Sequence, residues 1–572
     1  MLNYIYYKFT YNLPERSIMF KNLFISTPLV VLLSFIVGCS QIDGIGPGDG
    51  VKITGSVTFD RVPVKVETYG MLKLDYENTQ KVAAKNILIK AIDENGRSLS
   101  ETSTDKNGNY NIYVPKNTVV KIRVYARMFK KDRWDVSVAD NTAQKAMYVI
   151  EGSFHDSGTS TTKRNLHAAS GWGGYGYTGS RDAAPFAILD SINTVMNKVT
   201  SSNSKVEFPQ LTVNWSVNNV AAGGDQSLGQ IVTSNYDGNS NLWILGDANS
   251  DTDEYDDHII IHEWGHFFED KFSRSDSIGG PHSAGDALDI RVAFGEGWGN
   301  ALSAIATDNP IYFDTAGHNQ ATGWSMDIEN ASPSNPGWFS EASIQRILYD
   351  LYDSNDDSGD NIDLGFTPIF NVMVDKERNT PAFTSIFSFI HALKSENSRD
   401  AHDIDRVVAS EQISTIRDEY GNYRTNTANG THTQPIYRTL EVGKWITQCN
   451  KNRHGVYNKL GNRTFIKVHI PASGFYSFDV QPYGGEYGDP DIVLYKAEYP
   501  LESMGMSPLE GTSSDNLSMN LTPGNYLVEV YDASFSNSCF NVSLNNMGAS
   551  YKPTKTLSKQ QMNRKPKIMP QY

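Results

Sequence analysis

The residues with the clearest chemical potential lie in the run His262-Glu263-Trp264-Gly265-His266. On a helix, His262 and His266 leave the same face, since side chains four apart stack one above the other. Two neutral imidazoles so placed can share one Zn²⁺. Glu263, next to the first histidine, can reach a water on that metal and take its proton. Ile259, Ile260 and Ile261 precede the run and Phe267 and Phe268 follow it, which suits a helix wedged in a core. Two histidines and a glutamate are costly there unless something pairs with them, and a metal does.

A third ligand is needed. Six residues past His266, where a third histidine stands in one class of such motifs, this chain has Phe272, and the glycine position of that class is Glu269. That class is excluded. Further on, Ala293-Phe-Gly-Glu296-Gly-Trp298-Gly-Asn300-Ala-Leu-Ser-Ala-Ile has helical character, with a glutamate on its first turn and an apolar face behind it. Glu296 is the expected third ligand. The alternative is a helix-start glutamate favoured only by the helix dipole.

Together, H-E-x-x-H at His262 and Gly295-Glu296-Gly297-Trp298 resemble the gluzincin metallopeptidases, most nearly the fungalysin and thermolysin-like groups. The resemblance covers two short motifs and the helices that hold them. It implies that His262, His266 and Glu296 bind one zinc ion and that Glu263 is the general base. There are two departures. Asn300 stands where those families have an aspartate orienting a zinc-bound histidine. An amide oxygen can still accept the imidazole N–H, but it brings no charge. The second departure is that the counterpart of the families' transition-state helix, Trp338 to Tyr352, holds no histidine. Tyr349, Tyr352, Arg346, His282 and His318 are therefore the open candidates for the oxyanion donor.

At 572 residues the chain has room for two to four domains. A net charge of −15 without a basic face excludes a nucleic-acid role. Of three cysteines, Cys39 follows an apolar run, and Cys449 and Cys539 flank one candidate domain. The latter two pair in an oxidising compartment, or else stay as two buried thiols. From Met19, the expected true start, a lysine, an apolar stretch and Ile36-Val37-Gly38-Cys39 read as a signal peptide that resembles a bacterial lipobox. That implies lipid on Cys39. A transmembrane helix is the competing reading, and the run is short for one.

In order, residues 1–39 are thus the signal region and 40–50 a Gly/Asp-rich tether. Residues 51–128 read as short strands with the turns Asp93-Glu94-Asn95-Gly96 and Asp105-Lys106-Asn107-Gly108. They resemble a carboxypeptidase-regulatory-like β-sandwich. Residues 129–434 are the expected metallopeptidase domain, with 129–170 as a connecting segment and 414–434 as a linker. Within it a helix starts near Pro185, and Leu211–Val217 and Asn241–Leu245 are strand-like. The resemblance makes Asn241–Leu245 the sheet edge on which an extended peptide lies. The acidic loops Asp247–Asp257 and Asp353–Asp360 are candidates for Ca²⁺, though the first lacks the glycine and last glutamate of a calcium hand. Residues 435–547 return to strands, with Gly488-Asp-Pro-Asp491 and Leu521-Thr-Pro-Gly524 resembling a prepeptidase C-terminal β-sandwich. Residues 548–572 form a basic tail with little apolar content.

The expected fold class is multidomain α+β: a β-sandwich, a zincin-type domain carrying the H-E-x-x-H helix, and a second β-sandwich. The expected activity is zinc-dependent hydrolysis of polypeptide at the cell envelope of a bacterium, facing periplasm or exterior, with the lipid on Cys39 as membrane anchor. The rival is a non-catalytic surface binding lipoprotein on a decayed peptidase core. A third reading is a zinc hydrolase acting on something other than a peptide bond.

Overall fold

The computed structural model describes residues 50–66, 71–330, 332–353, 362–422, 435–484, 488–498, 501–507 and 514–548. The signal region with Cys39, nearly all of the tether, most of the second acidic loop, the end of the linker and the basic tail lie outside the described residues. No described helix is long and apolar enough to cross a membrane.

The N-terminal part begins with β1 (Val51–Arg61), whose strict alternation of buried and half-buried residues lets one face carry Val51, Ile53, Val57 and Phe59 into the core. There follow β2 (Ile87–Asp93), β3 (Ser98–Ser103), β4 (Asn109–Val114), β5 (Val119–Lys130) and β6 (Trp134–Asp140). Helix α1 (Ala184–Ser202) has Pro185 in its first turn, where a missing N–H costs nothing. Then come β7 (Leu211–Trp215), β8 (Asn235–Tyr236) and β9 (Asn241–Ile244). β1 pairs antiparallel with β4 and parallel with Leu166–Ala168. The larger sheet runs β8-β9-β7-β6-β5-β2-β3, with β6, β7 and β9 parallel.

The structure departs from two of the expectations. The boundary at residue 128 falls inside β5, and 129–170 is no mere connector. It supplies β6, which joins the N-terminal strands to β7 in one sheet, and the strand beside β1. The central residues of β6 are buried consecutively rather than alternately, so the strand gives little periodic signal. Nor is Asn241–Leu245 an open edge. β8 pairs with it at Leu242 and Trp243, and Ser234 Oγ accepts the Leu245 N–H at 3.0 Å.

The helical part packs on this sheet. α2 (Asp257–Phe272) and α3 (Ile290–Thr307) lie side by side. They are followed by the hairpin β10 (Ile311–Ala316) and β11 (Thr322–Asp327), then α4 (Glu341–Asp350), α5 (Phe366–Val372), α6 (Ile386–Glu396) and α7 (Ala401–Ser410). Every residue of α3 from Ile290 to Ala306 is buried, so this helix is the centre of the core.

The C-terminal part is a sandwich of two sheets. Its strands are β12 (Tyr437–Leu440), β13 (Lys444–Cys449), β14 (Arg463–Ile470), β15 (Gly474–Pro482), β16 (Pro490–Lys496), β17 (Glu502–Met506), β18 (Asp515–Leu521), β19 (Gly524–Asp532) and β20 (Cys539–Asn546). The sheets run β12-β14-β19-β16-β17 and β13-β20-β15-β18. Tyr476, Phe478, Val528 and Val542 are among the side chains filling the space between them. Cys449 and Cys539 face each other across β13 and β20 and form a disulfide. This sandwich shares the main core through Phe465, Tyr495 and Leu527. A buried charge network adds to the join: Arg291 of α3 is gripped by Asp289 and by Glu529 of β19, and Glu529 also holds Arg463.

Candidate metal centre

Glycines set how closely α2 and α3 approach. A Cβ on Gly265 would stand 3.0 Å from Gly299 Cα, and one on Gly299 would stand 2.8 Å from His262 Nδ1. Gly297 gives the same freedom toward α4, where a Cβ would meet Ile344 at 2.6 Å. Two anchors hold the helix starts. Asp256 Oδ2 accepts the Thr315 N–H at 2.8 Å, which ties α2 to β10, and Asp289 caps α3 by accepting the Arg291 N–H at 3.0 Å.

This packing brings His262, His266 and Glu296 together. His262 Nε2 and His266 Nε2 are 3.1 Å apart, and Glu296 Oε2 is 3.3 and 3.5 Å from them. A tetrahedral zinc with bonds of about 2.0–2.1 Å spaces its ligands at about 3.4 Å. The three atoms match that spacing. The far side of each ring is also engaged: His262 Nδ1 donates to Asn300 Oδ1 at 2.7 Å, and His266 Nδ1 to Glu269 Oε2 at 3.2 Å. With Nδ1 so engaged, each ring turns its Nε2 toward the other two ligand atoms. Asn300 is itself oriented, since its Nδ2 donates to Gln345 Oε1 of α4 at 2.8 Å. The residues present fit a zinc ion.

Glu263 lines the same cavity of about 480 Å³. Its Oε2 is buried and has no hydrogen-bond partner among the described residues. Burial pushes its carboxyl above the ordinary range, against the pull of His262 and His266. That is the direction a general base working near neutrality requires.

Of the five oxyanion-donor candidates, His282 alone lines this cavity among the described residues. Its Nε2 is 3.3 Å from Glu296 Oε2 and 3.5 Å from Glu341 Oε2, and its Nδ1 donates to Gly280 O at 3.2 Å. Burial works against its positive charge, but Glu296 and Glu341 outweigh it and hold its pKa up to about 10. The other four are engaged elsewhere. Tyr352 bonds Lys198 and Asp308, Tyr349 packs on Tyr352, Arg346 pairs with Glu411, and His318 Nδ1 bonds Asn249.

The acidic loop before α2 is not one cradle. Asp251 and Asp253 meet Asp314 of β10, all three on the cavity wall beside Trp324. The rest of the loop is spent on structure: Glu254 on Arg181, Asp257 on Arg61, and Asp247 on the Asn249 amide.

Sequence reasoning missed Glu269, Glu341, Gln345 and Asp314. Glu269 had a local signal, since it lies one helical turn past His266. The other three arrive from β10 and α4, and no local spacing announces them.

Among comparisons with known proteins, residues 195–407 match the family model described as the Mycolysin C-terminal domain. The match spans less than half of the chain and relates that segment to a peptidase family. It includes α2, α3 and all three candidate ligands. No curated protein matches. Among solved structures, the pre-peptidase C-terminal domain of a collagenase from Bacillus anthracis is similar at 12% identity, covering 19% of this chain and 93% of that one, with a TM-score of 0.16. A periplasmic inhibitor of g-type lysozyme from Aeromonas hydrophila is similar at 14% identity, covering 19% and 96%, with a TM-score of 0.13. Likenesses at those scores carry no weight for fold or function.

Proposed function

We propose that this protein is a zinc-dependent peptidase of the gluzincin type, acting at the cell envelope and anchored by lipid on Cys39. One observation carries the chemistry: two imidazole Nε2 atoms and a carboxylate oxygen sit at tetrahedral spacing in the cavity that Glu263 also lines, with Glu263 Oε2 lacking a hydrogen-bond partner among the described residues. The match of residues 195–407 to a peptidase family supports a peptide substrate.

His262, His266 and Glu296 would hold the ion. When bound, zinc would acidify water and polarise a carbonyl there. Glu263 Oε2 takes the proton from the attacking water, and the same oxygen then delivers it to the departing amine nitrogen. Asn300 and Glu269 keep the ligand rings oriented through each step. His282 Nε2–H donates to the oxygen that gains charge as the carbonyl becomes tetrahedral, the part left open by the histidine-free α4. Calcium, if bound, finds its best-placed carboxylates in Asp251, Asp253 and Asp314.

The test is hydrolysis of unfolded casein by the wild type and by Glu263→Gln, with zinc measured in both. Turnover that is lost in the variant while zinc stays at one per chain supports the reading. Zinc in both proteins without turnover of casein or of a broad peptide library moves the assignment to a binding lipoprotein.

A further inference from the structure

His282 stands on the loop between α2 and α3, and its stretch 274–283 forms neither helix nor strand. Gly279 and Gly280 both adopt positive φ, +60° and +100°. Left-handed backbone in a glycine pair is easily deformed, so something outside the loop must hold it.

The holder is the turn at Tyr457, Asn458 and Lys459, in the C-terminal part of the chain. Asn458 is 1% exposed, and its Nδ2 donates to both Gly279 O and Gly280 O at 3.0 Å. Tyr457 OH donates to Ile278 O at 3.0 Å and Lys459 Nζ to Pro281 O at 2.6 Å. Four consecutive carbonyls of the loop are thus taken by three consecutive side chains. The contact is close, since a Cβ on Gly280 would stand 2.7 Å from the Tyr457 ring. Tyr457 itself has φ +67°, an unfavourable conformation for a bulky residue. Strain of that kind persists where the surroundings over-determine it, and it gathers at functional positions. Gly280 O is also the acceptor for His282 Nδ1. The Asn458 amide and the His282 ring therefore meet at one carbonyl, and that junction turns Nε2 toward Glu296 and the cavity.

We propose that Asn458 is a positioning residue for the reaction: the C-terminal part holds the Gly279–Pro281 carbonyls and, through Gly280, aims His282. This rests on the peptidase reading above. It makes the C-terminal part a component of the site rather than an accessory to it, so activity requires its presence.

The test is a double-mutant cycle of Asn458→Ala and His282→Gln in the full chain, with zinc content and hydrogen exchange of the 278–283 loop measured alongside. Asn458→Ala is expected to lower kcat by about 10–100-fold, the usual effect of a roughly 1 Å misplacement, with KM and zinc content nearly unchanged. In the His282→Gln background the same change is expected to cost nothing more, because both substitutions remove one function. Loop exchange should quicken in Asn458→Ala while the melting temperature barely moves. Additive losses, or unchanged kcat with quickened exchange, would reduce Asn458 to interdomain glue and overturn the proposal. Should the wild type show no peptidase activity, that alone sinks the peptidase reading. Loop exchange then still reports on the clamp, and unchanged exchange in Asn458→Ala refutes it independently.

Discussion

Gly299→Ala tests how the helix contact makes the metal site. The added methyl would stand 2.8 Å from His262 Nδ1, 2.9 Å from Cε1 and 3.1 Å from Cγ. An ordinary contact needs about 3.5 Å, so the ring must retreat by about 0.7 Å. Zinc sites tolerate about 0.2 Å in ligand distance, so this shift exceeds what the site can absorb. It also strains the 2.7 Å bond from His262 Nδ1 to Asn300. Loss of such orienting geometry costs about 10–100-fold in metal affinity. The metal-free fold should suffer much less. Alanine gains about 1 kcal/mol over glycine in a helix interior, against about 1–3 kcal/mol for overpacking, for a net loss of about 0–2 kcal/mol. The assay is competition for zinc against a chelator, with denaturant unfolding of both metal-free proteins. Weakened zinc binding with a nearly unchanged unfolding midpoint is the expected pair. Unaltered zinc affinity in a folded variant would refute both the closeness of the contact and the role given to His262.

Three further predictions concern stability. Glu529→Gln removes the carboxylate that pairs with both buried Arg291 and Arg463, leaving Asp289 on Arg291, and should cost about 3–5 kcal/mol at neutral pH by chemical unfolding. Burial opposes the Glu529 charge, but the two guanidinium groups overcome it and depress its pKa from 4.5 to about 2. Its contribution is therefore complete above pH 4.5 and is lost as pH falls through 2, so wild type and variant should converge across that window. Asp314 has the opposite sign. Burial and then Asp251 raise its pKa from 3.8 to about 7, so the fold favours the neutral acid and is penalised as pH rises through that range. Asp314→Asn should stabilise the metal-free protein above pH 7 by up to about 4 kcal/mol, at 1.36 kcal/mol per unit, with no gain near pH 4. Reduction of the Cys449–Cys539 disulfide, which closes a 90-residue separation, should cost about 2–5 kcal/mol in unfolding free energy.

The local chemistry of the site is largely legible in the sequence because helical spacing determines it. His262 and His266 share a face by periodicity alone, Glu263 stands beside the first of them, and Glu296 lies on the first turn of a segment with helical character. Glu341 and Asp314 are not legible, because they reach the cavity from α4 and β10. His282 is legible only as a chemical type, since its position depends on the turn at Asn458, far along the chain. The N-terminal boundary fails for a related reason. β6 is buried on both faces as a strand joining two parts of one sheet, and such a strand reads as featureless. The edge assigned to Asn241–Leu245 fails because its partner, β8, is too short to announce itself.

The central claim is that His262, His266 and Glu296 form one zinc site with a position left for water. X-ray absorption at the zinc edge, on protein purified with one zinc per chain, tests it most directly. The expected spectrum shows two imidazole nitrogens and oxygen atoms at about 2.0–2.2 Å around the zinc, with no sulfur, and loss of one imidazole in His266→Ala. A shell without imidazole, or a spectrum unchanged by His266→Ala, would contradict it.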